Sequence, residues 1–159
     1  MINEPRSRSY LTFMLGNEKF AVSVDSVQEV VELDHITKVP HTPDYMLGII
    51  NLRGKILPLL DTCLKLGLPP TERTKKNRIL ILDIHEDNKA IQVGAIVDLA
   101  REVVEIHHHQ IQRAQDIEQY KNATPITGIV NNNGDITMIM DITRVFSMND
   151  ISKINQIPN

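Results

Sequence analysis

The chain has no tryptophan, only six tyrosines and phenylalanines together, a single cysteine and no surplus of positive charge, and each scarcity removes a class of function. With one cysteine, Cys63, no internal disulfide forms; set in LLDTCLKLG, it reads as a small buried apolar residue in a short helix of a protein kept reduced. Lys and Arg number 17 against 20 Asp and Glu, a net charge of -3, so there is no general attraction to nucleic acid or to an anionic membrane. No apolar run reaches membrane-spanning length, and MINEPRSRS lacks the apolar core of a secretory signal, so a cytoplasmic protein without direct membrane insertion is expected. The seven glycines are scattered at turns and make no phosphate loop; there is no GxSxG elbow, and Cys63 has no base near it in sequence. No cofactor is expected, and catalysis is left only to residues that the fold itself would assemble. What the chain does have is 42% hydrophobic residues over 159 positions, enough for a substantial core.

Those residues are arranged in a repeat. GIINLRGKILPLLD (48 to 61) returns as GIVNNNGDITMIMD (128 to 141), displaced by 80 residues, and VDSVQEVVEL (24 to 33) returns as VDLAREVVEI (97 to 106), displaced by 73. Two matched segments in the same order imply two copies of one unit, with a seven-residue insertion expected in the polar, His-rich stretch from Ile106 to Thr124. Within the first matched pair, both copies keep the turn glycine, Gly54 or Gly134, but Arg53 becomes Asn133. The turn itself therefore does not require arginine, which leaves Arg53 as either a partner contact or a solvated surface residue.

Period-two alternation places strands at Tyr10 to Leu15 and Lys19 to Val24, around Gly16-Asn17, and again on either side of Arg53-Gly54. RILILDIH, from Arg78 to His85, is apolar on both faces and reads as a strand buried in the middle of the structure, with Lys89 to Val97 as its partner. Asp25-Ser-Val-Gln28 resembles a capping box, and Val27, Val30 and Val31 follow at helical spacing, predicting a short amphipathic helix; Ala100, Val103 and Val104 repeat it. LPPTERTKKN, from Leu68 to Asn77, has the composition of an exposed connector. Strands this short avoid open edges by closing, which predicts a mainly β fold of two small barrels with short capping helices and a recognition groove between them. The expected division is 10–68 for the first barrel, 69–77 for the linker and 78–147 for the second, with tails at 1–9 and 148–159 and with strands free to cross between subdomains.

The triplet His107, His108, His109 invites a metal, yet adjacent side chains diverge and ligands usually come from spaced positions, so no metal site is expected. Asp25, Asp61, Asp98 and Asp141 each stand where a strand gives way to a helical pattern, and capping explains all four better than catalysis. Two alternatives stay open at this point: a small nucleic-acid-binding barrel, disfavoured by charge and aromatic content, and a hydrolase or metal enzyme built on the histidines.

The residues GNEKFAVSV, VQEVVEL, VPHTPDYMLGIINLRGKILPLLD, the strand end Val97-Asp98 and the hairpin before DITRVF resemble the CheW adaptor family over nearly the whole chain. The resemblance implies two five-stranded SH3-like barrels without catalytic activity. It further implies a chemotaxis scaffold that couples transmembrane chemoreceptors to the histidine kinase CheA, or an adaptor of a related chemosensory pathway controlling motility or development. The implied partners are the cytoplasmic hairpin tip of the receptor, held in the groove between barrels, the regulatory domain of CheA at a barrel end, and other copies in rings. The protein would be cytoplasmic and recruited to membrane-associated arrays. Carried over by position, the receptor contacts are Arg53, Gly48, Val27, Glu29 and Val103; the kinase-facing residues are not assigned.

Overall fold

In the computed structural model, which describes residues 6–86, 88–117 and 125–146, most alternating apolar stretches are strands. The order is β1 (Ser7–Leu15), β2 (Glu18–Ser23), β3 (Glu29–Glu32), β4 (Met46–Leu52), β5 (Lys55–Asp61), α1 (Thr62–Lys65), β6 (Arg78–Glu86), β7 (Lys89–Val97), β8 (Leu99–His107), β9 (Ile111–Arg113), β10 (Ile126–Asn132), β11 (Asp135–Met140) and α2 (Ile142–Val145). They pair in a six-stranded sheet, β8-β1-β2-β11-β10-β9, and a five-stranded sheet, β3-β6-β7-β5-β4. Both sheets curl, which is the mainly β architecture of two SH3-like subdomains; the strand beyond five in the first is the three-residue β9.

Two segments read as helices are strands. Residues 24 to 26 make one 3₁₀ turn, capped by Ser23 and not by Asp25, and β3 follows with Glu29 opposite Ile81 and Val30 opposite Leu80. In the second copy Ala100, Val103 and Val104 lie on β8, opposite Phe13, Leu11 and Tyr10. The helical spacing rested on β-branched valines, whose restricted χ1 suits a strand, and a neighbouring ladder satisfies the backbone better than a helix of under three turns. Of the four aspartates, Asp61 and Asp141 do cap, accepting from Leu64 N and Thr143 N at 3.2 Å each. Asp98 instead accepts from the Gly16 N–H and pins the β1–β2 turn.

Sheet membership is interleaved and does not follow a division at 69–77. Each half of the chain gives its first hairpin to one sheet and its later strands to the other: β1 and β2 pair with β8 and β11, whereas β6 and β7 pair with β3 and β5. The exchange preserves the repeat. Leu59 opposite Gly94 in one parallel pair corresponds, through displacements of 80 and 73, to Ile139 opposite Ala21 in the other.

The apolar pattern of the exchanged hairpins explains why they sit in the centre. On β6, Ile79 and Ile81 fill the five-stranded barrel, while Leu80, Leu82 and Ile84 point out of it. On β1, Tyr10 faces its own barrel core, while Leu11, Phe13 and Leu15 point away. The outward faces meet in a shared core, closed by Ile142, Val145 and Phe146 after β11. A fully buried Leu or Phe is worth about 1.5–3 kcal/mol, so neither hairpin separates without exposing two cores.

The seven-residue insertion resolves into two parts. Thr37 bridges Ile49, and Gln112 bridges Ile129, so the displacement is 75 here against 73 at the preceding strand. It reaches 80 by Tyr45 and Pro125, whose carbonyls accept from the equivalent Asp61 and Asp141 N–H groups. Two residues are therefore inserted before Gln112 and five between Gln112 and Pro125, a stretch of which 118–124 lie outside the described residues, as do tail residues 1–5 and 147–159. The rings of His107 and His109, two positions apart, stack with centroids 5.5 Å apart at the end of β8.

Cys63 is 2% exposed in α1, and burial, the largest effect, pushes its thiol up to about 11. An unfolded thiol titrates near 8.5, so the unfolded chain loses this proton first and stability falls as pH rises from about 8.5 to 11. At pH 8 we expect a thiol reagent to label Cys63 at the rate of protein opening; labelling within seconds of mixing with native protein would contradict that environment.

Candidate functional site

The hairpin β4–β5 turns through two left-handed residues, Arg53 at φ 51° and Gly54 at φ 87°, and β10–β11 turns identically through Asn133 at 54° and Gly134 at 91°. This is the backbone of a tight two-residue hairpin whose twist matches the strands. Asn51 Oδ1 accepts from Gly54 N at 2.7 Å and Asn131 Oδ1 from Gly134 N at 2.9 Å, so both asparagines serve the turn. Asparagine adopts the left-handed region readily; arginine does so with strain between Cβ and its own backbone. Arg53 therefore occupies a position that its turn would fill better with the residue found in the other copy.

Its side chain is 70% exposed and bonded through Nη2 to the Glu29 carboxylate. That hydrogen bond, then the charge of Glu29, raises the Arg53 pKa, so the guanidinium stays ionised at any pH at which the protein folds. Glu29 engages one end of a planar group with five donors, and the rest is open to solvent.

The Arg53–Glu29 pair also crosses a seam. β3 and β4 are the two edges of the five-stranded sheet, and Glu29 opens β3 while Arg53 follows β4. Further along, the segment after β3 reaches β4 through Thr37 N to Ile49 O at 3.0 Å and Ile49 N to Thr37 O at 2.8 Å. A cleft of about 500 Å³ lies along this seam, lined by Val31, Thr37, Ile49, Leu52, Ile56 and Ile79.

Gly48 allows that closure. Its φ is +150°, and a Cβ there would stand 2.3 Å from the Thr37 carbonyl oxygen and 2.8 Å from Ile36 Cγ2. Gly48→Ala is expected to lower stability by about 2 kcal/mol by pushing the 33–45 segment off β4, seen as a lower urea midpoint with an unchanged slope. An unchanged midpoint would show that the approach tolerates a side chain. Gly48 thus shapes this seam.

Val27 lies between the 3₁₀ turn and β3 and packs, half-buried, against the shared core. Val103 is 61% exposed on β8 of the other sheet. The structure therefore joins Arg53 and Glu29 directly, seats Gly48 further along the same seam beside Thr37, puts Val27 at the junction of the barrels and places Val103 on the far barrel. Three exposed apolar residues escaped the sequence reading: Val30, the repeat equivalent of Val103 and 40% exposed; Ile56, 57% exposed beside the cleft; and Ile136, the repeat equivalent of Ile56 and 47% exposed. Strict strand alternation from Glu29, with Val31 inward and Val30 outward, was the signal for the first; nothing in the period of Ile56 separates it from a core position.

Comparison with known proteins gives consistent relatives. The family model of the CheW-like domain matches residues 9–150. The chemotaxis protein CheW of Bacillus subtilis is 33% identical over 135 residues, covering 85% of this chain and 84% of that protein. A probable chemotaxis protein CheW of Rhizobium etli is 29% identical over 140 residues, 88% of each. Among solved structures, the scaffolding protein TtCheW of Thermoanaerobacter tengcongensis superposes with a TM-score of 0.74 at 30% identity, covering 90% of this chain and 94% of that one.

Proposed function

We propose that this chain, which belongs to the CheW-like domain family, is a non-catalytic chemotaxis adaptor that couples chemoreceptors to the histidine kinase CheA. In this reading the receptor contacts are Arg53, Glu29 and the valines Val27 and Val103, with Gly48 holding the surface in shape. The observation that carries the site assignment is the asymmetry of the repeat: one turn holds the residue its backbone favours, Asn133, and the other holds a strained, exposed arginine. A residue retained against local preference is one whose side chain is needed elsewhere.

The chemistry fits a peptide partner. A guanidinium oriented by Glu29 presents fixed donors to the carbonyls or carboxylates of a receptor hairpin tip, while Val27 and Val103 offer apolar contact on either side of the barrel junction. Orientation then comes from the polar pair and affinity from apolar burial. Among the described residues no helix is long and apolar enough to cross a membrane, so association with a receptor array would run through such contacts. Binding of the CheA regulatory domain at a barrel end, and of further copies in rings, completes the scaffold.

Reconstitution tests this. With receptor signalling fragments templated on vesicles and CheA present, adding this protein is expected to raise kinase autophosphorylation severalfold. Unchanged kinase activity across a titration, with receptor and kinase each shown competent, would overturn the assignment.

A further inference from the structure

The interleaved topology makes the two halves of this chain complements, and we propose that a second copy of the same chain can supply the complement, giving a dimer in which halves are exchanged across the 69–77 connector. The proposal rests on topology and not on the adaptor reading. Every pairing that turns hairpins into sheets runs between halves: β1 with β8, β2 with β11, β3 with β6 and β5 with β7. Within a half, the ladders comprise hairpins and the short β9–β10 pair. Hairpins of this kind, apolar on two faces, are marginal until their partner strands arrive.

The connector has the build of a hinge between two clasps. Thr71 and Asn77 are buried, while the five residues from Glu72 to Lys76 are all exposed. Thr71 is held by Asp61, which accepts from its N–H at 3.2 Å and its hydroxyl at 3.0 Å. Asn77 donates from Nδ2 to the Asp98 carbonyl at 3.1 Å and accepts from Thr74 N at 2.9 Å, folding the connector into a turn. Both clasps lie within their own halves, Asp61 with Thr71 before the hinge and Asn77 with Asp98 after it, so an exchanged dimer keeps both and reopens only the turn at Thr74.

An exchanged dimer reproduces every strand pair and all three cores of the monomer, which makes this kind of swap low in cost. The monomer prevails in the intact chain because a short connector holds the complementary half at an effective concentration of about 1 mM. A connector too short to span the clasps removes that advantage and leaves only the partner molecule.

Deleting Glu72 to Lys76 from the full chain is therefore expected to double the particle mass, measured by light scattering after size exclusion, with a native β spectrum retained. A folded monomer would overturn the proposal. If the shortened chain does not fold, the full-length protein cut within 72–76 after folding decides. Its two pieces are expected to stay together and, after denaturation, to refold with a rate proportional to concentration. Either piece folding alone, or failure of the pair to reassociate, would equally overturn it.

Discussion

Replacing Arg53 with asparagine is expected to leave the protein folded, to raise its Tm by about 2 °C, and to weaken receptor-tip binding by at least roughly tenfold. The first two effects come from the repeat. Asn133 already holds the equivalent left-handed position at nearly the same φ, so Arg53→Asn gives the first turn the residue its backbone favours. Loss of the Glu29 pair sets against this only a solvent-exposed ion pair, which contributes little to stability. The binding effect follows from removing a planar, charged donor that asparagine cannot imitate. Arg53→Lys keeps the charge without the planar fork and should recover only part of the binding. Isothermal titration with a receptor hairpin fragment, alongside thermal melts, separates the two contributions. A variant that binds as tightly as the parent would remove Arg53 from the recognition surface, and one that melts lower would show that the arginine serves the fold.

Phe13→Ala is expected to cost about 3–5 kcal/mol, lowering Tm by roughly 10 °C or more, while the remaining folded fraction binds with parental affinity. Phe13 is completely buried and stacks on Phe20 with ring centroids 6.1 Å apart. Its cluster takes Leu80, Leu82 and Val93 from the opposite hairpin, so the cavity opens between the barrels and not within one. Both barrels lose support together, and urea unfolding should stay a single transition with an unchanged slope. Two separated transitions would mean that the barrels are independent units and that the shared core contributes little.

Local elements were legible where the sequence carries its own punctuation. Gly54 and Gly134 after left-handed partners, Asn51 and Asn131 bonding across the turn, and Asp61 and Asp141 capping α1 and α2 are contacts over three residues or fewer. Arg53 stood out because the repeat supplied an internal control. The valines of β3 and β8 misled because their partners, Leu80 and Leu11, lie 50 and 92 residues away, and a four-residue segment such as β3 has no local signal that outweighs a chance helical spacing. The exchange of hairpins was hidden for a different reason. Two copies with nearly the same pattern pair equally well within or between themselves by sequence, and only the two-faced apolar character of β6 hinted at a place between two cores. Val30 reads as core because the chance helical spacing of the valines masks its strand alternation, and Ile56 because an apolar residue on the outward face of β5 is indistinguishable in sequence from a buried one.

Co-sedimentation with vesicle-bound receptor fragments and CheA tests the central claim most directly. The account predicts that this protein enters the pellet with both partners and that Arg53→Asn, folded and at the same concentration, stays largely in the supernatant. A parental protein left in the supernatant while receptor and kinase sediment, or an Arg53→Asn variant that pellets as fully as the parent, would contradict it.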